Sequence, residues 1–160
     1  MSATSVSPAV LSTDMGQVCT CWVGGQLFGV PVDWVQEVLR EQTLTPVPRA
    51  PGSVMGLINL RGQIVTAIDL RQCLGFPERG PEDQAMNIVV RSRGEVVSLV
   101  VDDIGDVVPV EAAPVAVPSN VPARIRAVVS GVVGHAGRSL LVLDPDAAID
   151  SPAPNPGGNP

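Results

Sequence analysis

Apolar residues along this chain fall in short runs separated by glycine, proline and charged residues, and most of the runs are rich in valine. That pattern predicts strands, because β-branched side chains suit a pleated, half-buried surface. Val18 to Val23 is the first, and Gly24-Gly25 turns it into a second from Gln26 to Val32. Both glycines can take the positive φ that a tight hairpin needs. At period two, Cys19, Cys21 and Val23 share one face of the first strand. In VDWVQEVLRE, Val32, Val35, Val38 and Leu39 recur at helical spacing, which predicts a short helix or helical turn. TPVPRAP (45–51) ends it, since prolines exclude helix and favour an extended path.

Val54 to Leu60 and Ile64 to Leu70 form the next two strands, around Arg61-Gly62-Gln63, with Gly62 where a side chain would strain the turn. A loop carrying Gly75, Pro77, Gly80 and Pro81 follows. Asn87 to Arg91 and Glu95 to Val101 make another hairpin around SRG, and Ile104 to Val110 continues extended. Residues 109–122, with four prolines, read as a rigid surface connector rather than core. Ala127 to Val133 and Ser139 to Leu143 supply the last strands around GHAG, and DPDAAI ends in a helical turn. Short strands at such regular spacing predict a mainly all-β fold of barrels or a sandwich. Residues 1–15, Ser/Thr/Ala-rich without a period, are expected to be a disordered arm, and 151–160 (SPAPNPGGNP) a disordered tail, leaving 16–150 as the folded domain.

Composition sharpens this picture. Hydrophobic residues make up 45% of the chain but aromatics only 2%, so the core must be built from Val, Leu, Ile and Ala. Ten basic against 16 acidic residues give a net charge of −6, and the arginines are scattered, which argues against nucleic acid as a partner. Every basic residue is arginine, so Schiff-base and P-loop lysine chemistry is excluded. Three cysteines are too few for a disulfide scaffold and predict reduced thiols. No basic start precedes an apolar stretch, and no apolar run approaches the roughly 18 residues of a membrane span. A cytoplasmic protein without direct membrane insertion is expected.

Catalytic equipment is sparse. His135 has no local nucleophile or orienting acid, and reads as a solvated turn residue. Cys19 and Cys21 lack the second pair a zinc site would need, and read as small core residues. Asp102, Asp103 and Asp106 do not match a calcium loop and read as a solvated turn between strands. No glycine-rich phosphate loop or nucleophile elbow is present. The expectation is a non-enzyme with no metal and no cofactor. Two charges stand among apolar neighbours: Arg61 at a hairpin tip, and Glu37 within WVQEVL.

The succession CWVGGQLFGVPV, VQEVLR, TPVPRAPGSVMGLINLRGQIVTAIDLRQCLG, VVSLVVDDIGDVV and SGVVGHAGRSLLVLD resembles the CheW-like domain family, the coupling module of bacterial chemotaxis systems. The likeness runs over about residues 17–149, and GLINLRGQIVTAIDLRQCLG is its most specific part. It implies two packed, SH3-like, five-stranded β-barrels with one or two short helical turns. It also implies a non-catalytic adaptor that binds the regulatory domain of a CheA-type histidine kinase and the cytoplasmic tip of a methyl-accepting receptor. Membrane arrays would then recruit the protein through those partners. By the same resemblance Val35, Glu37, Gly56 and Arg61 match family positions at or near the receptor site; none is assigned to the kinase. Two alternatives stay open: the same adaptor in a pilus or developmental kinase pathway, and a redox sensor using Cys19 and Cys21.

Overall fold

The computed structural model describes residues 16–50, 53–80 and 82–150. The arm and tail expected at 1–15 and 151–160 lie outside them. Ten strands form two five-stranded sheets. The first has the order β8-β1-β2-β10-β9, built from β8 (Asp103–Pro109), β1 (Gln17–Val23), β2 (Gln26–Pro31), β10 (Arg138–Leu143) and β9 (Val129–His135). The second has the order β3-β6-β7-β5-β4: β3 (Val35–Leu39), β6 (Met86–Ser92), β7 (Glu95–Val101), β5 (Gln63–Asp69) and β4 (Val54–Leu60). All neighbours are antiparallel except β2 with β10 and β5 with β7. Each sheet curls into a small barrel, hereafter barrel one and barrel two.

The two barrels have one topology, circularly permuted. Barrel two uses β3 to β7 in chain order, as edge, opposite edge, its neighbour, then the hairpin that fills the middle. Barrel one runs β8, β9, β10 in those first three roles and takes its middle hairpin from the N-terminal β1 and β2. All four hairpins turn on a residue pair with positive φ: Gly24-Gly25, Arg61-Gly62, Arg93-Gly94 and Ala136-Gly137. That left-handed pair matches the twist of the flanking strands.

Period-two alternation explains the nearly unbroken valine runs. Successive residues point into different cores, and both are dry. Val65, Ala67, Val89 and Val100 fill barrel two, and Val18, Leu27, Leu140 and Val142 fill barrel one. Their strand neighbours, among them Cys19, Cys21, Phe28, Val90, Leu99 and Leu141, meet in a third cluster that both sheets share. Cys19, Cys21 and Val23 do lie on one buried face, as the strand period predicts. A strand buried on both faces cannot show alternating polarity.

Three expectations are corrected. VDWVQEVLRE is not a helix: Val32–Trp34 makes one 3-10 turn and Val35–Leu39 is edge strand β3, paired with β6 from Val35↔Val90 to Leu39↔Asn87. Helical spacing and an alternating strand coincide over so short a run, and the ladder offered by β6 decides between them. The proline-rich connector is not all surface, because Val110 is buried, Val117 and Val121 pack on the shared core, and Val115 bridges to Val132. Finally, Leu70 ends no strand but opens helix α1 (Leu70–Leu74); two more short helices, α2 (Ala123–Arg126) and α3 (Pro145–Asp150), follow later in the chain. Among the described residues no helix is long and apolar enough to cross a membrane.

Candidate functional site

Arg61 occupies the first of two left-handed positions at the β4–β5 tip, with φ of 54° against 89° for Gly62. Asn59 secures the turn by accepting a hydrogen bond from Gly62 N–H through Oδ1 at 2.8 Å. The guanidinium is then thrown outward, 69% exposed, and its Nη2 pairs with Oε2 of Glu37. Glu37 comes from β3, the opposite edge of the same sheet, so the ion pair crosses the seam where the barrel closes. A bulge between Val35 and Glu37 sets the direction of the carboxylate. Val38 is 41% exposed and Ile64 60% exposed. The result is an ion pair across the seam of barrel two, with an exposed apolar residue close in the chain to each partner.

Of the four residues read from the sequence, Glu37 and Arg61 touch. Val35 is half-buried against the shared core. Gly56 is buried where the 44–46 segment crosses β4: Thr45 and Leu57 exchange two backbone hydrogen bonds of 2.8 Å, and a Cβ on Gly56 would stand 2.6 Å from the Thr45 carbonyl oxygen. It therefore acts by letting that segment cross.

Barrel one repeats the bulge at its equivalent strand but not the ion pair, since Ala136 holds the tip position that Arg61 holds in barrel two. On β8, as on β3, an extra residue bulges against the partner: Ile104 lies opposite Cys21 and Val107 opposite Cys19. Matching the two hairpins turn to turn places Ile104 with Val35, Asp106 with Glu37 and Val107 with Val38. Asp106 is exposed and Val107 is 51% exposed. Between the end of β8, residues 111–115 and the β9–β10 tip lies a groove of about 630 Å³, with Val108, Val115 and Val133 among its lining.

The acidic run 102–106 is not a uniformly solvated turn. Asp103 and Asp106 are exposed, but Asp102 is the centre of a charge cluster. Arg71 grips it with two bonds, Nε to Oδ1 at 2.8 Å and Nη2 to Oδ2 at 2.9 Å. Arg79 adds Nη2 to Oδ1 at 2.8 Å, and Gly24 N–H donates to Oδ2 at 2.8 Å. Arg79 also reaches Asp69, which caps α1 by accepting from Arg71 N–H. Burial opposes ionisation of Asp102, but the bonds from Arg71, Gly24 and Arg79 outweigh it and hold the carboxyl below its usual range. Sequence reasoning missed this cluster. An Asp before LRQCL and Gly75 after it, which takes φ of 83°, are the start and stop signals that could have revealed α1.

The remaining candidates do not converge on chemistry. His135 ends β9, half-buried, with the turn itself made by Ala136-Gly137. All three cysteines are buried, and burial raises each thiol above its ordinary range, the reverse of what a reactive thiolate requires. Among the described residues no three of His, Cys, Asp and Glu come together as a metal site.

The chain is similar in sequence and fold to known proteins. Residues 17–153 match the CheW-like domain. The chain is 30% identical over 130 residues to Chemotaxis protein CheW of Rhizobium meliloti (strain 1021), covering 81% of this chain and 84% of that protein. A shorter likeness, 43% over 56 residues and 35% of each chain, is to Protein FrzA of Myxococcus xanthus. Among solved structures, the scaffolding protein TtCheW from Thermoanaerobacter tengcongensis superposes with a TM-score of 0.72 at 26% identity, covering 80% of this chain and 88% of that one.

Proposed function

The chain belongs to the CheW-like domain family, and from that premise we propose that it is a non-catalytic chemotaxis adaptor acting in the cytoplasm. It couples the regulatory domain of a CheA-type histidine kinase to the cytoplasmic tip of a methyl-accepting receptor. The observation that carries this reading is the Arg61–Glu37 pair across the seam of barrel two, with Val38 and Ile64 exposed close to it in the chain. Transient protein contacts use small apolar patches edged by polar groups, and arginine suits them because its planar fork bonds while its stem packs. An adaptor also needs a second face. The Asp106–Val107 edge of barrel one shares the bulged strand but not the ion pair, and with its neighbouring groove it offers the second partner a different face. Buried thiols make the cysteine-sensor alternative the weaker one.

The test exploits exposure. An exposed ion pair contributes only about 0–1 kcal/mol to stability, so Arg61→Glu leaves the thermal midpoint nearly unchanged. At a desolvated interface, losing one member of a charge pair costs about 2–5 kcal/mol, enough to abolish a micromolar contact. Pull-downs with a receptor fragment and with a kinase regulatory domain should show loss of the receptor only. Adding Glu37→Arg should restore part of it. Full receptor binding by Arg61→Glu removes the site assignment.

The likeness to Protein FrzA favours one second reading, the same coupling in a pathway other than flagellar swimming. Which histidine kinase co-purifies with the tagged chain from its own host separates the two.

A further inference from the structure

We propose that the carboxylate of Asp102 is the joint that sets the angle between the two barrels, and so holds their docking faces in one relative orientation. Asp102 stands where the chain leaves β7 of barrel two and enters β8 of barrel one. Its bonds divide between the two sides. Toward barrel one, its N–H donates to the Trp22 carbonyl at 2.9 Å, and its Oδ2 accepts from Gly24 N–H in the β1–β2 turn. Toward barrel two it takes Arg71 from α1 and Arg79 from the loop beyond. Those arginines are tied back to barrel two, Arg71 Nη1 to the Pro77 carbonyl at 3.2 Å and Arg79 Nη1 to Asp69 at 3.2 Å. The Phe76 ring lies so close to the hairpin turn that a Cβ on Gly24 would stand 2.5 Å from it.

The shared core cannot set this angle alone. Valine, leucine and isoleucine faces attract without direction, so their packing defines the angle less sharply than a directional bond does. Charge-assisted bonds to a carboxylate are directional, and a bidentate arginine fixes plane as well as distance. Asp69, Arg71, Arg79 and Asp102 sum to zero charge, so the half-buried group leaves no net ion to solvate. Such ion clusters add little net stability after desolvation, and in this proposal their role is to specify an arrangement. On the adaptor reading above, the two faces lie on different barrels, so their orientation governs whether both partners are held together.

Asp102→Asn keeps an acceptor for Gly24 and removes the charge that orients both arginines. Backbone residual dipolar couplings, fitted for each barrel separately, read the angle directly. In the wild-type protein one alignment tensor should fit both barrels. In Asp102→Asn each barrel should still fit internally, while the two tensors diverge. Arg71→Gln, which leaves Asp102 its Arg79 and Gly24 bonds, should give a smaller divergence and carries the test if the first variant does not fold. With partners, each variant should bind receptor fragment or kinase domain alone as the wild type does, and lose about tenfold in forming the ternary complex. A single shared tensor in both variants overturns the joint, as does failure of both to fold. An intact ternary complex despite divergent tensors overturns its functional half. Failure of the wild-type protein to bind either partner would instead sink the adaptor reading and leave the tensors as they are.

Discussion

Arg61 and Gly56 sit within a few residues of each other yet respond to substitution for opposite reasons. Arg61 holds a left-handed backbone that disfavours side chains with a Cβ but is tolerated best by glycine and asparagine. Arg61→Asn relieves that cost while losing an exposed ion pair worth about 0–1 kcal/mol. The expected result in a thermal melt is a midpoint equal to or above that of the wild type, with receptor binding lost; a lower midpoint would mean the pair stabilises the barrel. Gly56 is pressed against a backbone oxygen that has no freedom to move away. Gly56→Ala should cost on the order of 1–3 kcal/mol in a denaturant titration, since an overpacked site must shift the 44–46 crossing. Loss of binding in that variant with unchanged stability would make Gly56 a direct contact instead.

At the level of strands and helices, the alternation between two cores is the feature most open to chemical probing. Cys19 and Cys21 face the shared core from β1, and Cys73 faces it from α1. None should react with a thiol reagent in the native protein at pH 8, and all three should react in guanidinium chloride. Rapid native labelling of Cys19 and Cys21 would mean β1 is shifted by one residue. Cys73 also leaves a pH signature. Burial pushes its thiol from 9.0 to about 11, so the folded state holds a proton that the unfolded state releases first. Stability is then whole below pH 9 and falls as pH rises toward 11, by an amount on the order of 1–3 kcal/mol. Cys73→Ala should lessen that alkaline decline in denaturant titrations run between pH 8 and 11, the remainder coming from the buried Cys19 and Cys21, although it lowers stability throughout.

For the molecule as a whole, the permuted topology means that neither barrel is an independent unit. Barrel two is contiguous in sequence, but its outward strand faces, with Ile88, Val90, Leu99 and Val101, belong to the shared cluster. Barrel one needs the first hairpin and the last strands together. Scanning calorimetry on the full chain should therefore give one transition, with calorimetric and van't Hoff enthalpies in agreement. Two resolved transitions would show that the barrels melt separately and that the shared core contributes little to cooperativity.

Strand content and the hairpin turns could be read directly from the residues, because they rest on local physics. Valine runs cut by x-Gly pairs gave strands, and Val54 to Leu60 and Glu95 to Val101 agree with the structure to the residue. The helix expected at 32–41 failed because five residues cannot distinguish a period of 3.6 from one of 2, and β6 supplied the hydrogen-bond partners that settled it. Arg61 and Glu37 were each visible as a charge among apolar neighbours, but their meeting depends on two strands at opposite edges of a sheet being brought together by curvature. Asp102 was invisible in a stronger sense. Its four partners come from residues 22–24, 71 and 79, and no local pattern marks one aspartate of a pair as held between arginines and the next as solvated. Local propensity and turn chemistry act within a few residues and survive in the sequence alone, whereas charge partners and the choice between two cores are set by which distant segments the closed barrels bring within a few ångströms.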